Sequence, residues 1–357
     1  MSAKVFLDLH VLQTIPPNCL NRDDTGSPKT AMYGGVRRAR VSSQAWKRAM
    51  RLHFNEEFDS SKLSIRTKCV FDLIAEEIVK KSPELSSEEA QKKAIDALTT
   101  VGLKASGKTP DEKKLDALFF ISSQQVKNIA ALACGEVTAK DVKAALKADN
   151  GVDLALFGRM VATDPSLNCE ASAQVAHAIS THLIENEYDF YTAVDDYAKD
   201  LQEHAGAGMM GTIEYNSATL YRYATVAAHE LYKQLNCESD ALDKTIAVFT
   251  KAFVCSIPTG RQNTFAAHTM PDALLAAIRV DRPLNLVGAF EKPVKGEGLL
   301  SESASAFEKY AKSVYADFCS TPAVSYVVGN YFNDLGKRLS LDDLLTVIGS
   351  EVAMRCL

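Results

Sequence analysis

The sequence predicts an α+β sandwich, and three observations predict it. Residues 5–12 alternate with a period of two, Val5, Leu7, Leu9 and Val11 against Phe6, Asp8, His10 and Leu12. Residues 68–149 keep a helical period almost throughout. Strand character returns at residues 215–226, where Tyr215, Ser217, Thr219, Tyr221 and Tyr223 share one face. Strands on both sides of a helical block describe a mixed protein with an all-helical insertion. At 357 residues and about 150 residues per domain, the chain is two domains, or one large domain with an insertion.

Each element follows in order. The first strand is expected to stop at Pro16-Pro17. A polar loop runs over residues 18–30, with Gly26 and Pro28 as turn residues, and Gly34-Gly35 is a second break. Ser42-Ser43 offers an N-cap to a helix over residues 44–54, in which Trp46, Met50 and Phe54 stack at four-residue spacing. Within the insertion, Ser86 and Glu89 form a capping-box pair before Ala90, Ala94 and Leu98. Thr138 and Asp141 open another helix, and Asn150-Gly151 closes the block.

Val152, Leu154 and Leu156 alternate with Asp153, Ala155 and Phe157, which predicts a strand over residues 152–157. Residues 205–212, AGAGMMGT, hold three glycines in eight positions, the composition of a mobile hairpin tip or arm. Helices are expected over 241–255 and 302–319, a loop over 258–271 and a further strand over 273–280.

Composition bounds the function. Hydrophobic residues make up 46% and charged residues 24%, enough apolar content for a core, which argues against wholesale disorder. No apolar run approaches a membrane span. The first residues carry Asp8 and His10 inside their apolar stretch and do not read as a secretory signal. The net charge is -5, so a nucleic-acid partner has to rest on local clustering. No two of the eight cysteines lie closer than 18 positions, and free thiols in a reducing cytoplasm are the simplest reading. His177 and His182 are five apart, which misses the spacing of paired metal ligands on one helical face.

The densest chemical signal is VRRARVSSQAWKRAMR at residues 36–51, with Arg37, Arg38, Arg40, Lys47, Arg48 and Arg51 and no acid. Ser42 and Ser43 sit at the expected helix start, where free amides and the helix dipole favour an anion. Lys47 and Arg51, four apart, share a helical face flanked by Arg48. Hydroxyls, amides and cations converging in this way suit phosphates. The competing reading is a solvated basic face on a core helix.

Two other motifs are weaker. Gly102, Gly107, Lys108 and Thr109 spell G-x-x-x-x-G-K-T, a nucleotide-binding loop by pattern. Such a loop has to follow a buried strand and open a helix, whereas AQKKAIDALTTV before it is an amphipathic helix and Pro110 follows at once. Asp23-Asp24, within CLNRDD, are paired acids of the kind that hold a metal for nuclease chemistry. They lack a histidine spaced for acid–base work, and a loop-organising role with the nearby arginines fits better. A P-loop nucleotide-binding protein and a metal-dependent ribonuclease using Asp24 are the alternatives these motifs leave.

Several segments together carry a resemblance. CLNRDD (19–24), GG-x-RR-x-R (34–40), SSQ-x-x-KRAMR (42–51), GRM (158–160), AHAI (176–179), YTAVDD (191–196), LYRYA (220–224), RQNTFAA (261–267) and AFEKPV (289–294) occur in this order. With them the chain resembles the CasC-type backbone subunit of the type I-E CRISPR Cascade surveillance complex, of the RAMP superfamily. The resemblance implies an RRM-like (ferredoxin-like) palm of residues 1–67 and 151–357. It further implies a helical fingers insertion over 68–150 and a β-hairpin thumb over about 193–223, tipped by 205–212.

The resemblance also implies function. Copies stack head to tail along a CRISPR RNA, beside other Cascade subunits, in the prokaryotic cytoplasm. Each copy holds the sugar–phosphate backbone, a neighbour's thumb displaces a nucleotide at intervals, and target DNA pairs with the displayed guide. The subunit is not itself a nuclease, and no cofactor, metal or membrane is implied. The implied RNA-binding residues are Asn21, Arg22, Lys29, Arg38, Ser42, Gln44, Lys47, Arg48, Arg51 and Arg261. At the thumb base they are Phe190, Tyr191 and Thr192, and at its tip Met209. Leu167 takes the place of a stacking methionine, and Phe190 that of a tryptophan. Holding a guide of arbitrary sequence through sugar and phosphate is the chemistry that serines, amides, Lys and Arg supply.

Overall fold

A single long strand organises the molecule, because both of its faces are buried. The structure is a computed structural model and describes residues 4–107, 113–193 and 209–357. The first half runs β1 (Phe6–Asn18), β2 (Thr30–Tyr33), β3 (Val36–Val41), α1 (Ser43–Glu57), β4 (Ser64–Thr67), α2 (Val70–Lys81), α3 (Ser87–Thr99), β5 (Ala105–Ser106), β6 (Lys114–Leu115), β7 (Phe119–Ser122), α4 (Ser123–Ala133) and α5 (Ala139–Lys147). The second runs α6 (Val152–Phe157), β8 (Ala173–Val175), β9 (Ala178–Ser180), β10 (Glu187–Ala193), β11 (Met209–Ala227), α7 (Ala228–Gln234), α8 (Ser239–Cys255), α9 (Gln262–Phe265), β12 (Ala273–Arg279), α10 (Leu299–Asp317), β13 (Val324–Gly329), β14 (Lys337–Arg338) and α11 (Leu341–Cys356).

The main sheet has the order β14-β13-β12-β1-β11-β9-β3-β2, with β8 and β10 also on β11. β1 pairs antiparallel with β11 and with β12, and β14 runs parallel to β13, so the sheet is mixed. The fold class is α+β, as expected.

Leu7, Leu9 and Val11 of β1 share one core cluster with Trp46, Met50 and Phe54 of α1, Phe249 of α8 and Ile348 of α11. Leu12, of the opposite parity, packs in a separate cluster with Tyr221, Tyr223, Phe290 and Phe307. A polar layer runs through that second face. His10 Nδ1 lies 2.9 Å from the Tyr221 hydroxyl. The Tyr223 hydroxyl donates to Asp8 Oδ1 at 3.0 Å, and the Leu284 N–H to Asp8 Oδ2 at 2.8 Å. Burial pushes the Asp8 carboxyl up to about 6 and the His10 imidazole down to about 3.

A third core belongs to α2–α5, where Phe71, Ile74, Leu98, Ile129, Val142 and Leu146 pack on one another. Its helix starts are satisfied locally. Ser86 with Glu89 and Ser122 with Gln125 form complete capping boxes, and Thr138 accepts from the Asp141 N–H. Such a cap is worth about 1 kcal/mol each.

Four expectations need correction. β1 does not stop at Pro16-Pro17. It reaches Asn18 through a register shift between Ile15 and Asn18, an irregularity that accommodates two residues lacking an N–H. Residues 152–157 form helix α6, not a strand, and Val152 through Leu156 are all buried. The block at 68–149 also carries short strands, β5 paired with β6, and β7 paired with β4 just ahead of the block. The hairpin itself begins earlier than about residue 193, with Glu187 opposite Tyr215 and Ala193 opposite Met209. Half of the glycine-rich tip expected at 205–212, residues 205–208, lies outside the described residues.

Candidate nucleic-acid interface

β3 passes into α1 through Ser42 alone, and the loop 19–29 folds over that junction. The Ser42 N–H donates to Asn21 Oδ1 at 2.9 Å. The Lys29 N–H donates to the Asn21 carbonyl and the Arg40 N–H to the Lys29 carbonyl, both at 2.9 Å. Within the loop, Asp23 Oδ1 accepts from the Thr25 hydroxyl, the Thr25 N–H and the Ser27 N–H. The Thr25 hydroxyl holds the Asp23 carboxyl below the usual carboxylate range. Asp23 thus organises the loop, but through Thr25 and Ser27 and not through the arginines expected as its partners.

The opposite wall is the segment after α8. A Cβ on Gly260 would collide with the Leu20 carbonyl oxygen, so only glycine allows this approach. Arg261 follows in the left-handed region, at φ 47°. Arg261 and Arg22 both lie beside Cys19, where their charges oppose the rise that burial imposes on the thiol.

Neighbouring depressions run along this seam. One is lined by Leu20 through Gly26 with Gly260. Another is lined by Ala45, Arg48, Ala49, Leu52 and Pro258, and a third by Asn21, Lys29 and Arg40. Arg22 and Arg48 are exposed, Lys29 and Arg261 half-buried. The groove therefore carries cations on both walls, which is the chemistry of phosphate binding.

The expected residues fall into four groups. Asn21, Arg22, Lys29, Ser42, Arg48 and Arg261 belong to the groove and its walls, with the Ser42 side chain buried and Gln44 exposed in the first turn of α1. Lys47 and Arg51 turn toward the base of α2–α5. The Lys47 ammonium lies 5.5 Å from the Phe157 ring centroid, and burial lowers its pKa. Arg51 Nε pairs with Asp153 Oδ2 at 3.1 Å, and its guanidinium stands 4.4 Å over Phe120. Phe190, Tyr191, Thr192 and Met209 sit on the β10–β11 hairpin, whose base meets the groove where Tyr215 packs 5.7 Å from Phe265 of α9.

Two expected residues are not at the surface. Arg38 is fully buried and donates to the carbonyls of Tyr33, Ser180, Phe290 and Glu291. Its cation is spent on the fold. Leu167 is fully buried in the α2–α5 core. The exposed apolar side chain of that segment is Met160, 86% accessible. The neighbouring Arg159 anchors it by donating to the Phe120, Leu146 and Leu167 carbonyls.

The helix start is also less free than expected. The Ser43 N–H donates to His177 Nδ1 at 3.2 Å, as the Ser42 N–H does to Asn21. His177 Nδ1 lies 3.4 Å from Arg40 Nη1, and burial, Arg40 and Lys29 lower the pKa of its ring. His177 is the site residue that sequence spacing missed; its one signal was membership of the AHAI segment.

The other motifs find little support. Gly102 follows helix α3 and not a strand, and Lys108 and Thr109 lie outside the described residues. Asp24 is exposed, and among the described residues no three His, Cys, Asp or Glu side chains converge as metal ligands. Among the same residues, no helix is long and apolar enough to cross a membrane.

Known proteins share this architecture. The family described as CT1975-like protein matches residues 7–345. A solved chain described as "CRISPR RNA-guided surveillance complex, pre-nicking" superposes with a TM-score of 0.85 at 30% identity, over 97% of this chain and 100% of that one. Another, described as "CRISPR RNA-guided surveillance complex", gives a TM-score of 0.72 over 96% of this chain and 99% of that one. At 24% identity it shows the shared fold alone. No curated protein matches the chain. The resemblance carried by the ordered segments is thereby borne out: from β1 into α11, the chain belongs to the CT1975-like protein family.

Proposed function

We propose that the chain is a CRISPR RNA-binding backbone subunit of a type I-E Cascade surveillance complex. It stacks head to tail along the guide, holds the sugar–phosphate backbone without reading bases, and leaves them to pair with target DNA. The main sheet and its helices serve as an RRM-like palm, residues 68–150 as fingers and the β10–β11 hairpin as thumb. The chain works without turnover, beside other Cascade subunits, in the prokaryotic cytoplasm. Met160 takes the stacking role expected of Leu167.

The observation that carries this reading is the groove. In a net-acidic protein, Arg22, Lys29, Arg40 and Arg48 line depressions along one seam, and Arg261 lies beside Cys19 at its wall. Delegating sequence recognition to base pairing asks for no more than such a groove. The test is to purify the chain from cells expressing a CRISPR array and to sequence what co-purifies. Short RNAs with repeat-derived ends and varied spacers are expected. A preparation free of RNA, or one that carries DNA alone, overturns the proposal.

A further inference from the structure

A buried cation without a carboxylate partner lies not in the groove but under it. Arg222 stands mid-strand in β11, opposite Val11 of β1, and is 1% exposed. Among the described residues it forms no ion pair. Its guanidinium stacks 3.7 Å from the Trp46 ring centroid of α1 and 4.7 Å from that of Phe253 in α8. Nη1 donates to Gln13 Oε1 at 2.5 Å, and Nη2 donates to the Phe253 carbonyl. Burial lowers its pKa to about 9.

Taking an unpaired cation out of water costs several kcal/mol, and apolar residues of similar volume fill such a space more favourably. Stability alone therefore does not explain an arginine here. Its contacts do suggest a purpose. Phe253 is in the last turn of α8, where the segment 256–272 begins. Gln13 passes the connection to the far end of that segment, since its Nε2 donates to the Thr269 carbonyl at 2.6 Å. Thr14 and Asp272 lock the same end, with the Thr14 N–H donating to Asp272 Oδ2 at 2.7 Å. Between the two anchored ends lie Gly260, pressed on Leu20, and the left-handed Arg261. Trp46 lies beneath the turn of α1 that carries Gln44 and Arg48.

We infer that Arg222 is a positioning residue for RNA binding: one buried guanidinium fixes both ends of the Arg261 segment and the underside of α1, and so sets the spacing between the two walls of the basic groove. This rests on the RNA-binding function proposed above. A planar, bidentate group flanked by two rings is suited to the task in a way an ammonium is not. A site whose supporting residues are loose binds weakly even when every side chain that touches the ligand is present.

The experiment compares wild type with Arg222→Met, Arg222→Lys and Gln13→Leu in the full chain. Two readouts are taken well below each unfolding midpoint. One is the salt-dependent affinity for oligouridylate and for a mixed-sequence single-stranded RNA; the other is hydrogen exchange over residues 256–269 and α1. Arg222→Met is expected to bind both RNAs about tenfold more weakly, with a log–log salt slope shallower by about 0.7, the share of one phosphate. Exchange over 256–269 is expected to quicken. Arg222→Lys should recover the fold but not the affinity. Gln13→Leu, which leaves the guanidinium in place but removes both its Nη1 acceptor and the Thr269 connection, should weaken binding and quicken exchange over 256–269 below its own unfolding midpoint, and it decides the matter if Arg222→Met fails to fold. Wild-type affinity and exchange in folded Arg222→Met, or in Gln13→Leu, would overturn the inference. If wild type itself binds neither RNA, the proposed function fails, and the exchange data still show whether Arg222 fixes the segment.

Discussion

Arg48 and Arg51 are three residues apart on one helix and meet different fates. Arg48 is exposed on the groove, while Arg51 is paired with a buried carboxylate. Replacing Arg22 and Arg48 by Ala should therefore leave the fold intact and flatten the salt dependence of RNA binding. For single strands the log–log slope changes by about 0.7 for each phosphate that is no longer neutralised. An unchanged slope would remove both residues from the interface. Arg51→Ala should behave otherwise. It leaves Asp153, whose pKa burial already raises against the pull of Arg51, without its partner, at a cost of about 3 kcal/mol. A shift in urea midpoint tests this, and a midpoint equal to wild type would show that the pair is dispensable.

His10 gives a residue-scale prediction in pH. Its folded pKa, about 3, lies below the ordinary 6.5. The unfolded chain then binds the extra proton, so stability is full above about 6.5 and drains away as pH falls toward 3. Asp8 acts in the opposite direction: its folded pKa of about 6 exceeds 3.8, so its protonation favours the fold on acidification within that window. The larger displacement is that of His10. His10→Phe keeps a ring among Tyr221, Tyr223 and Phe307, and leaves the Tyr221 hydroxyl its bonds to Asn285 and Leu286. The variant should lose less stability than wild type between pH 7 and pH 4.5 in urea titrations. Equal losses would assign the acid limb to other groups.

At the scale of elements, the β10–β11 hairpin shows how a glycine serves a neighbour. Gly211 stands opposite Tyr191, and a Cβ there would meet the Tyr191 hydroxyl at 2.5 Å. The ring lies across the gap that glycine leaves, an arrangement that steadies a strand with no side chain at that position. Gly211→Val should push Tyr191 off and weaken RNA binding without moving the unfolding midpoint; an unchanged affinity would make the ring's seat irrelevant. Local signals like this decide what a sequence discloses. α3 and α5 were legible because each has one apolar face and a cap. α6 was not, because burial on every side erases the helical period from a six-residue segment. Arg38 and Arg40 belong to one basic run, and nothing in the run separates the arginine that binds four carbonyls from the one beside His177. His177 reaches the helix start across 134 residues of chain, a separation that no spacing rule covers.

The whole molecule combines a net charge of -5 with a basic seam, so electrostatics favours a polyanion at the groove and discourages one elsewhere. It also exposes apolar side chains where no core needs them. On the hairpin, Tyr188, Phe190, Met209 and Met210 are 56% or more accessible. A row of Met and aromatic side chains on a projecting ribbon is adaptable contact surface. If it covers a different patch on the next copy, the contact is heterologous and does not close, so copies propagate along a strand of RNA. Phe190 and Met210 share one face of the ribbon, since Phe190 pairs with Thr212 and Thr192 with Met210. Phe190→Ser with Met210→Ser should therefore leave the monomer's unfolding midpoint unchanged, because neither residue belongs to a buried cluster. On RNAs of increasing length, wild type should form assemblies whose mass rises in steps of one subunit, as sedimentation measures it. The double variant should bind the shortest RNA like wild type and stop growing with length. Growth equal to wild type would show that these side chains do not join one copy to the next, and would send the search for the contact back to the palm and fingers.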